Sequence, residues 1–447
     1  MAKYSSIKIL IVCLFFTLYA CEKESEKSAG SRNQWIYNQM MVNYLWNDQI
    51  PASVNFNDPD SKNFFESLLY SQDRWSYITD DYQGFLANLR GETVSLPYQF
   101  KAYLMKNNQV YLLVNYVYPE SDAAKKGLKR GDVIVSINGN TMDANNYYDI
   151  AHSSYNFSVK LGEIQNNDVV PTEKSISFST EVTNTSPIIY YNIIQTSSCK
   201  VGYIVYVSFA DGTNNAFLKE LDYIFSTFKS NGVSQLIVDL RYNPGGLIDP
   251  AIHMASEIAP ADVVNSRKVL INLIYNKDIQ GYISPANARH LFDKSEVTTN
   301  LNLSDVYFLT TKGSASASEL VIAGLKPYMN VIQIGTATYG KYMGAVVIPD
   351  DNKQWAISPI ILKYANIDGL TEFVDGLTPD YYMEEKLTTK LYPFGSDSDP
   401  FLAKALSLID GTKAVEAPIM QQTEDFPKAL ELPDDPKNNL FIDTNKN

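Results

Sequence analysis

Cysteine and histidine are scarce in this chain, with three of each among 447 residues. Cys13 and Cys21 fall near the amino terminus, which leaves Cys199 alone in the body. A lone thiol cannot form an intramolecular disulfide. Cys199 is therefore expected to be a buried small hydrophobe rather than a nucleophile. His152, His253 and His290 stand apart without ligand spacing, so no zinc site is expected, and no other metal or cofactor is implied. Basic residues are the minority, 37 against 50 acidic ones, for a net charge of −13. This argues against nucleic acid and against charge-driven binding to anionic lipid. Internal repeats are absent too. What is present is 45% hydrophobic and 12% aromatic residues, including 31 tyrosines, which suits a globular chain with sizeable cores. The length predicts two or three domains.

Residues 1–20 read as a targeting segment. Lys3 and Lys8 precede the apolar run "ILIVCLFFTLYA", which is too short to span a bilayer comfortably. The run closes on Leu18-Tyr19-Ala20-Cys21, which resembles a bacterial lipobox with Cys21 as the acylated first residue. A plain secretory signal or a short membrane anchor is the simpler alternative. The resemblance implies three acyl chains, and two or more give stable anchoring. Residues 21–33 are polar and read as a tether.

Large apolar residues at helical spacing in "QWIYNQMMVNYLW" and "SKNFFESLLYSQD" predict a helical domain over 34–95. Its tryptophans are expected in the core. Residues 96–180 are β-rich, and "DAAKKGLKRGDVIVSINGNTM" reads as helix, Gly-Asp turn, strand and Asn-Gly turn. This pattern resembles a PDZ domain, which implies binding of a peptide C-terminus as an added strand. It is expected to fold as an independent unit. From 190 to 410 an α/β pattern follows. "VGYIVYVSF", "QLIVDL", "DVYFLTT" and "NVIQIGT" are strands, and Phe217, Leu221, Ile224 and Phe228 line one face of a helix. The acidic, proline-bearing segment 411–447 is expected to be disordered.

The chemistry centres on "TKGSASASELVIAG", residues 311–324. A strand ends near Thr311 and a helix begins by Glu319, so the turn lies at the carboxyl edge of the sheet, where open α/β sheets carry their sites. Ser316-x-x-Glu319 also matches a capping box, under which Ser316 would only satisfy the first helical N–H groups. Lys341 follows the next strand in a Gly-flanked loop. A neutral, buried lysine can take the proton from a serine nucleophile. The "NPGG" turn at 243–246 and the Ala317 amide can aim N–H groups at a developing oxyanion. Asp239 and Arg241 are expected to form an ion pair bracing that turn.

Together "VGYIVYVSF", "LIVDLRYNPGG", "KGSASASELVIAG", "IGTATYGK" and "DGLTPD" resemble the C-terminal processing peptidases, serine proteases with an embedded PDZ domain. The resemblance implies a multidomain chain: a helical cap, a PDZ-like domain and an α/β core of crotonase-like or ClpP-like type. It implies Ser316 as nucleophile, Lys341 as base, and Gly245 or Gly246 with Ala317 as oxyanion hole. One departure stands out. Many family members carry Gln four residues after the lysine, and here that residue is Ala345. Glu319 or a backbone carbonyl is expected to take over its orienting role. A Ser-His pairing through His253 or His290 has no family match. The reading is a lipid-anchored envelope endopeptidase acting on peptide or protein substrates. The alternatives are a peptide-binding lipoprotein with an inactive cleft and, further off, a lipid- or retinoid-binding relative of the same fold.

Overall fold

The computed structural model describes residues 28–412, except 91–95, 154, 166–167, 181–184, 296, 298 and 388–389, together with 427–430 and 440–442. Cys21 and the targeting segment lie outside the described residues. Among those described, no helix is long and apolar enough to cross a membrane.

The Ser28 side chain accepts the Ser31 N–H and starts α1 (Ala29–Asn43). This corrects the tether expectation over 29–33, which is helical. Asp60 accepts the Lys62 and Asn63 N–H groups and starts α2 (Ser61–Ser67), an N-cap that satisfies orphan donors. β1 (Tyr77–Thr79) and α3 (Tyr82–Leu89) follow. Ile36, Met40, Tyr44, Phe64, Phe65 and Leu68 are buried together with Ile357, far along the chain. The helical cap is thus anchored on the later domain through its own apolar face.

The PDZ domain comprises β2 (Tyr98–Leu104), β3 (Val110–Val117), α4 (Asp122–Lys125), β4 (Val133–Ile137), β5 (Asn140–Thr141), α5 (Tyr147–His152), β6 (Asn156–Gln165) and β7 (Asp168–Ser179). It has its own core, including Phe100, Val114, Ile134 and Phe157. It is not independent of the catalytic domain, however. Tyr116 packs in one cluster with Val201, Tyr203 and Leu309, and Arg130 reaches into the catalytic domain, as described below.

The catalytic domain runs through β8 (Ile188–Gln195), β9 (Lys200–Tyr206), α6 (Ala216–Ser230), β10 (Gln235–Asp239), α7 (Ile248–Ile258), α8 (Ala261–Asn265), β11 (Val269–Tyr275), α9 (Lys277–Gln280) and β12 (Arg289–Leu291). It continues through β13 (Asp305–Thr310), α10 (Ala317–Leu325), β14 (Asn330–Gly335), β15 (Met343–Val346), β16 (Ile348–Pro349), β17 (Ala356–Ser358), β18 (Ile360–Ala365), β19 (Tyr381–Tyr382) and α11 (Pro400–Ile409). One sheet has the order β19-β14-β13-β10-β9-β8, parallel except for the antiparallel edge strand β8. Its faces explain the continuous apolar strands. Ile204, Val238 and Phe308 join the core that includes residues of α6, α7 and α10, whereas Val205, Ile237 and Leu309 pack with Phe401 and Leu402 of α11. Phe217, Leu221, Ile224 and Phe228 of α6 are buried as one face. Cys199 is half-buried rather than fully buried.

Two strands fall in the segment expected to be disordered, and they correct that reading at their positions. β20 (Lys428–Ala429) pairs with β2, and β21 (Leu440–Ile442) pairs with β15. Charge and proline content suggest no core of their own, but backbone pairing to an existing sheet edge requires none.

Candidate active site

The segment "TKGSASASELVIAG" holds the turn between β13 and α10, and its three serines differ in what their hydroxyls do. Ser314 Oγ donates to Leu240 O at 2.7 Å and accepts the Thr311 N–H at 3.0 Å. Ser318 Oγ donates to Asn243 O at 2.9 Å. Ser316 Oγ is buried and has no hydrogen-bond partner. Ser316 also has φ of 60° and ψ of −110°, a conformation non-glycine residues rarely adopt and one that costs about 1–3 kcal/mol. The capping-box pattern is present, but the bond that holds this geometry is the reverse one: Ser316 N–H donates to Glu319 Oε2 at 2.7 Å.

Glu319 is the hub of the site. The same Oε2 accepts the Lys341 N–H at 2.8 Å, and Oε1 accepts from Thr338 Oγ1 at 2.5 Å and Gly340 N–H at 2.6 Å. Burial pushes the Glu319 pKa up, while these four bonds pull it back. Tyr364 adds a second tie, with its hydroxyl 3.2 Å from Ser316 O and 3.4 Å from Lys341 O. One carboxylate oxygen and one phenol thereby bring Ser316 and Lys341 together. Both residues have 0% relative exposure. Lys341 Nζ lies 5.8 Å from the centroid of the Trp75 ring, which the helical cap contributes. Trp75 is a buried member of the core, as expected for the cap's tryptophans, and its ring also faces Lys341. Ala345, where the glutamine was missed, is a buried residue of β15. Glu319 takes hold of Lys341 by its backbone.

The Asn243–Gly246 turn lies directly against the serine. A Cβ built on Gly245 would sit 2.7 Å from Ser316 Cβ, and one on Gly246 would sit 2.4 Å from Phe209 O, so neither position admits a side chain. Gly245 N–H donates to Asn243 Oδ1 at 2.9 Å and is spent. The absence of a side chain at Gly245 lets the turn approach Ser316. Gly246 N–H and Ala317 N–H are not among the donors of the turn's bonds, and Ala317 is the first residue of α10, where N–H groups lack intrahelical partners. Asn243, fully buried, locks the arrangement. Its amide donates to Tyr206 O at 3.0 Å, and its carbonyl accepts the Ala315 N–H at 3.0 Å. An Asn before "PGG" is a turn signal in the sequence, but its two long-range bonds are not readable there.

Behind the turn sits a buried ionic cluster. Arg241 binds Asp239 in bidentate fashion, at 3.0 Å from Nε to Oδ1 and 2.6 Å from Nη2 to Oδ2. The same guanidinium reaches Glu385 at 2.8 Å and Asp399 at 2.9 Å. Arg130, from the PDZ Gly-Asp turn, donates to Glu385 at 2.7 Å, to Tyr242 Oη at 2.5 Å and to Tyr392 O at 2.9 Å. Burial would push the Glu385 pKa up, but Arg241 and Arg130 outweigh it and hold the carboxyl below its ordinary value. The expected Asp239–Arg241 pair is therefore one part of a network that joins the PDZ domain to the strand end preceding the Asn243–Gly246 turn.

Among the described residues, one group has metal-ligand spacing: Asp222, His253 and Glu257, with ligand atoms within 4.8 Å of one another. His253 Nε2 and Asp222 Oδ1 are 2.8 Å apart. The Glu257 oxygens meet no N–H or O–H donor, and burial, then the neighbouring Asp222, pushes the Glu257 pKa well up. Burial and Asp222 both disfavour a negative charge on Glu257. Glu257→Gln removes that charge at nearly constant side-chain volume and should shift the melting temperature by no more than a few degrees, with or without a chelator. A large loss on adding chelator to the parent chain would show that a metal does this job. His290 lies in β12, and neither it nor His253 is among the residues tied to Ser316.

Comparison with known proteins finds matches over three regions of the chain. Residues 200–383 match the model of peptidase family S41, residues 31–77 its N-terminal domain and residues 113–161 a PDZ domain. The chain is 26% identical over 342 residues to the "Probable CtpA-like serine protease" of Staphylococcus aureus strain COL, covering 73% of this chain and 61% of that one. A namesake in Staphylococcus saprophyticus is 25% identical over 306 residues, covering 65% of this chain and 56% of its own length. The chain thus spans less than two thirds of the curated relatives it matches. A Bacteroides fragilis NCTC 9343 crystal structure assigned as an S41 protease is similar with a TM-score of 0.69 at 27% identity, covering 84% of this chain and 97% of that one. By its catalytic core, its N-terminal domain and its PDZ domain, this chain belongs to peptidase family S41, among the C-terminal processing peptidases.

Proposed function

We propose that this chain is an exported serine endopeptidase that hydrolyses peptide bonds with Ser316 as nucleophile and Lys341 as general base. The observation that carries the reading is that Ser316 alone of the three serines has an uncommitted hydroxyl, held in a strained turn beside Lys341. Ser316 Oγ attacks the peptide carbonyl, and its proton passes to the neutral Lys341 amine. The oxyanion forms against the Gly246 and Ala317 N–H groups. Lys341 returns the proton to the leaving amine, and water hydrolyses the acyl-enzyme. The PDZ domain supplies a strand edge for the peptide or protein substrate.

The alternative is a peptide-binding lipoprotein with an inactive cleft. The complete burial of Ser316 and Lys341 favours it for this conformation. A biotinylated peptidyl phosphonate separates the two readings. Covalent labelling of the parent chain, absent in Ser316→Ala, is the expected result. No labelling of a folded parent chain over hours at millimolar reagent would overturn the peptidase reading.

We also propose that Cys21 is acylated and fixes the protein to the cell envelope. The polar segment after Cys21 and the weak attraction of an acidic chain to anionic lipid leave the acyl chains to supply the affinity. Cys21→Ser should move the protein from the membrane pellet to the soluble fraction, or leave it unprocessed. A mature-length variant that still pellets with membranes would contradict this.

A further inference from the structure

Both segments of the carboxyl-terminal tail that are described pair with the outer strand of a sheet. β20 pairs antiparallel with β2, with Tyr103 opposite Ala429 and Leu104 opposite Lys428, and Leu430 N–H donates to Ala102 O at 2.9 Å. It is the edge strand of the PDZ sheet. Leu430 packs against the PDZ core, as does Ile150 of α5, so the tail lies beside β2 with its leucine on the domain's apolar interior. An added strand next to such an edge, with a side chain in an apolar pocket, is how a sheet edge captures a peptide.

β21 makes the second contact. It runs parallel to β15, with Gly344 opposite Leu440, Ala345 opposite Phe441 and Val346 opposite Ile442, and it closes the edge of that sheet. β15 begins two residues after Lys341. β21 also lies against α7, the helix that follows the Gly245–Gly246 turn. The strand therefore sits between the element after the base and the element after the oxyanion turn. Ser316 and Lys341 are fully buried in the same structure.

We propose that residues 428–430 and 440–442 are an intramolecular occupant of the two edges on which this protein takes up peptide, one on the PDZ domain and one beside the catalytic cleft, and that they compete there with substrate. The inference rests on the peptidase reading for its consequence on turnover, but the occupancy itself does not. A tethered segment competes at an effective concentration in the millimolar range, so weak contacts suffice. Only a peptide of comparable concentration or of much higher affinity displaces it. The segment that docks on the PDZ edge is internal to the chain, so its capture needs backbone pairing and Leu430 rather than a terminal carboxylate.

The test uses a fluorescein-labelled synthetic peptide of residues 424–442 and the inactive Ser316→Ala background, so that binding is read without turnover. Anisotropy titrations compare the full chain, a chain ending at Thr412, and the full chain carrying Leu430→Asp. The peptide should bind the shortened chain at least about tenfold more tightly than the full chain, and Leu430→Asp should release part of the block while keeping the tail in place. Equal binding by the full and shortened chains, or no binding to either, overturns the proposal. Leu430→Asp keeps the test decisive if the shortened chain does not fold: binding as weak as in the parent full chain then counts against the proposal. In the Ser316-containing forms, shortening should also raise turnover of a generic peptide substrate. Tighter peptide binding without turnover in any form would leave the tail inference standing and the peptidase reading overturned.

Discussion

Ser316→Ala is expected to lower kcat/KM by roughly 10⁴-fold or more, to a residual rate set by binding and the oxyanion donors alone. Its effect on stability should be small. The Ser316 hydroxyl makes no hydrogen bond, and the bond that holds the turn comes from its N–H to Glu319, which alanine retains. A pure helix-cap role would give the opposite pattern, a loss of about 0.5–2 kcal/mol with turnover unchanged. Lys341→Ala should abolish turnover as well. Lys341→Arg should not rescue it, because a guanidinium does not give up its proton near neutral pH. Ser314→Ala and Ser318→Ala provide the contrast. Each removes a hydroxyl bonded to a buried carbonyl, at Leu240 and Asn243, so each should cost about 1–3 kcal/mol of stability while retaining most of the turnover. The measurements are peptide hydrolysis and urea unfolding on the same preparations. Normal turnover by a folded Ser316→Ala chain would end the Ser/Lys mechanism.

Arg241→Met should destabilise the protein by about 3–5 kcal/mol, because it leaves Asp239 buried without a cation and Asp399 and Glu385 with Arg130 alone. That is a large share of the roughly 5–15 kcal/mol by which domains are stable. The loss has a pH signature. Glu385 is held below its ordinary value of 4.5 in the folded state. Its contribution is therefore fully present above that value and is lost as pH falls through the folded pKa. The difference between parent and variant should be constant from pH 6 to 8 and shrink in more acidic buffer. Urea midpoints across that range measure it, and a difference that grows toward acid would refute the assignment. The variant should also impair turnover beyond its stability cost, because Asp239 and Arg241 end the strand that leads into the Asn243–Gly246 turn.

Much of this architecture is local and could be read in advance. The apolar strands "QLIVDL" and "DVYFLTT", the stripe Phe217-Leu221-Ile224-Phe228 and the turn chemistry of "NPGG" each encode an element through side-chain period or backbone permission alone. The order of those elements placed Ser316, Lys341 and the glycine turn at one sheet edge. The sequence could not say which serine hydroxyl is free. Ser314 and Ser318 are spent on Leu240 O and Asn243 O, more than seventy residues away in the chain.

The sequence by itself determined the domain order, the residue types at the site and the identity of the helices and strands, because propensity, period and turn chemistry act over a few residues. Only the tertiary structure decided how those parts are joined. Glu319 draws the backbones of Gly340 and Lys341 to the Ser316 turn, Arg130 carries the PDZ domain to the buried carboxylates behind the Asn243–Gly246 turn, and the tail adds strands to two sheets. Each of these contacts is made by one polar group or one strand edge at long sequence separation. Such contacts leave no periodic trace in a chain, and they form only where packing has already removed competing water.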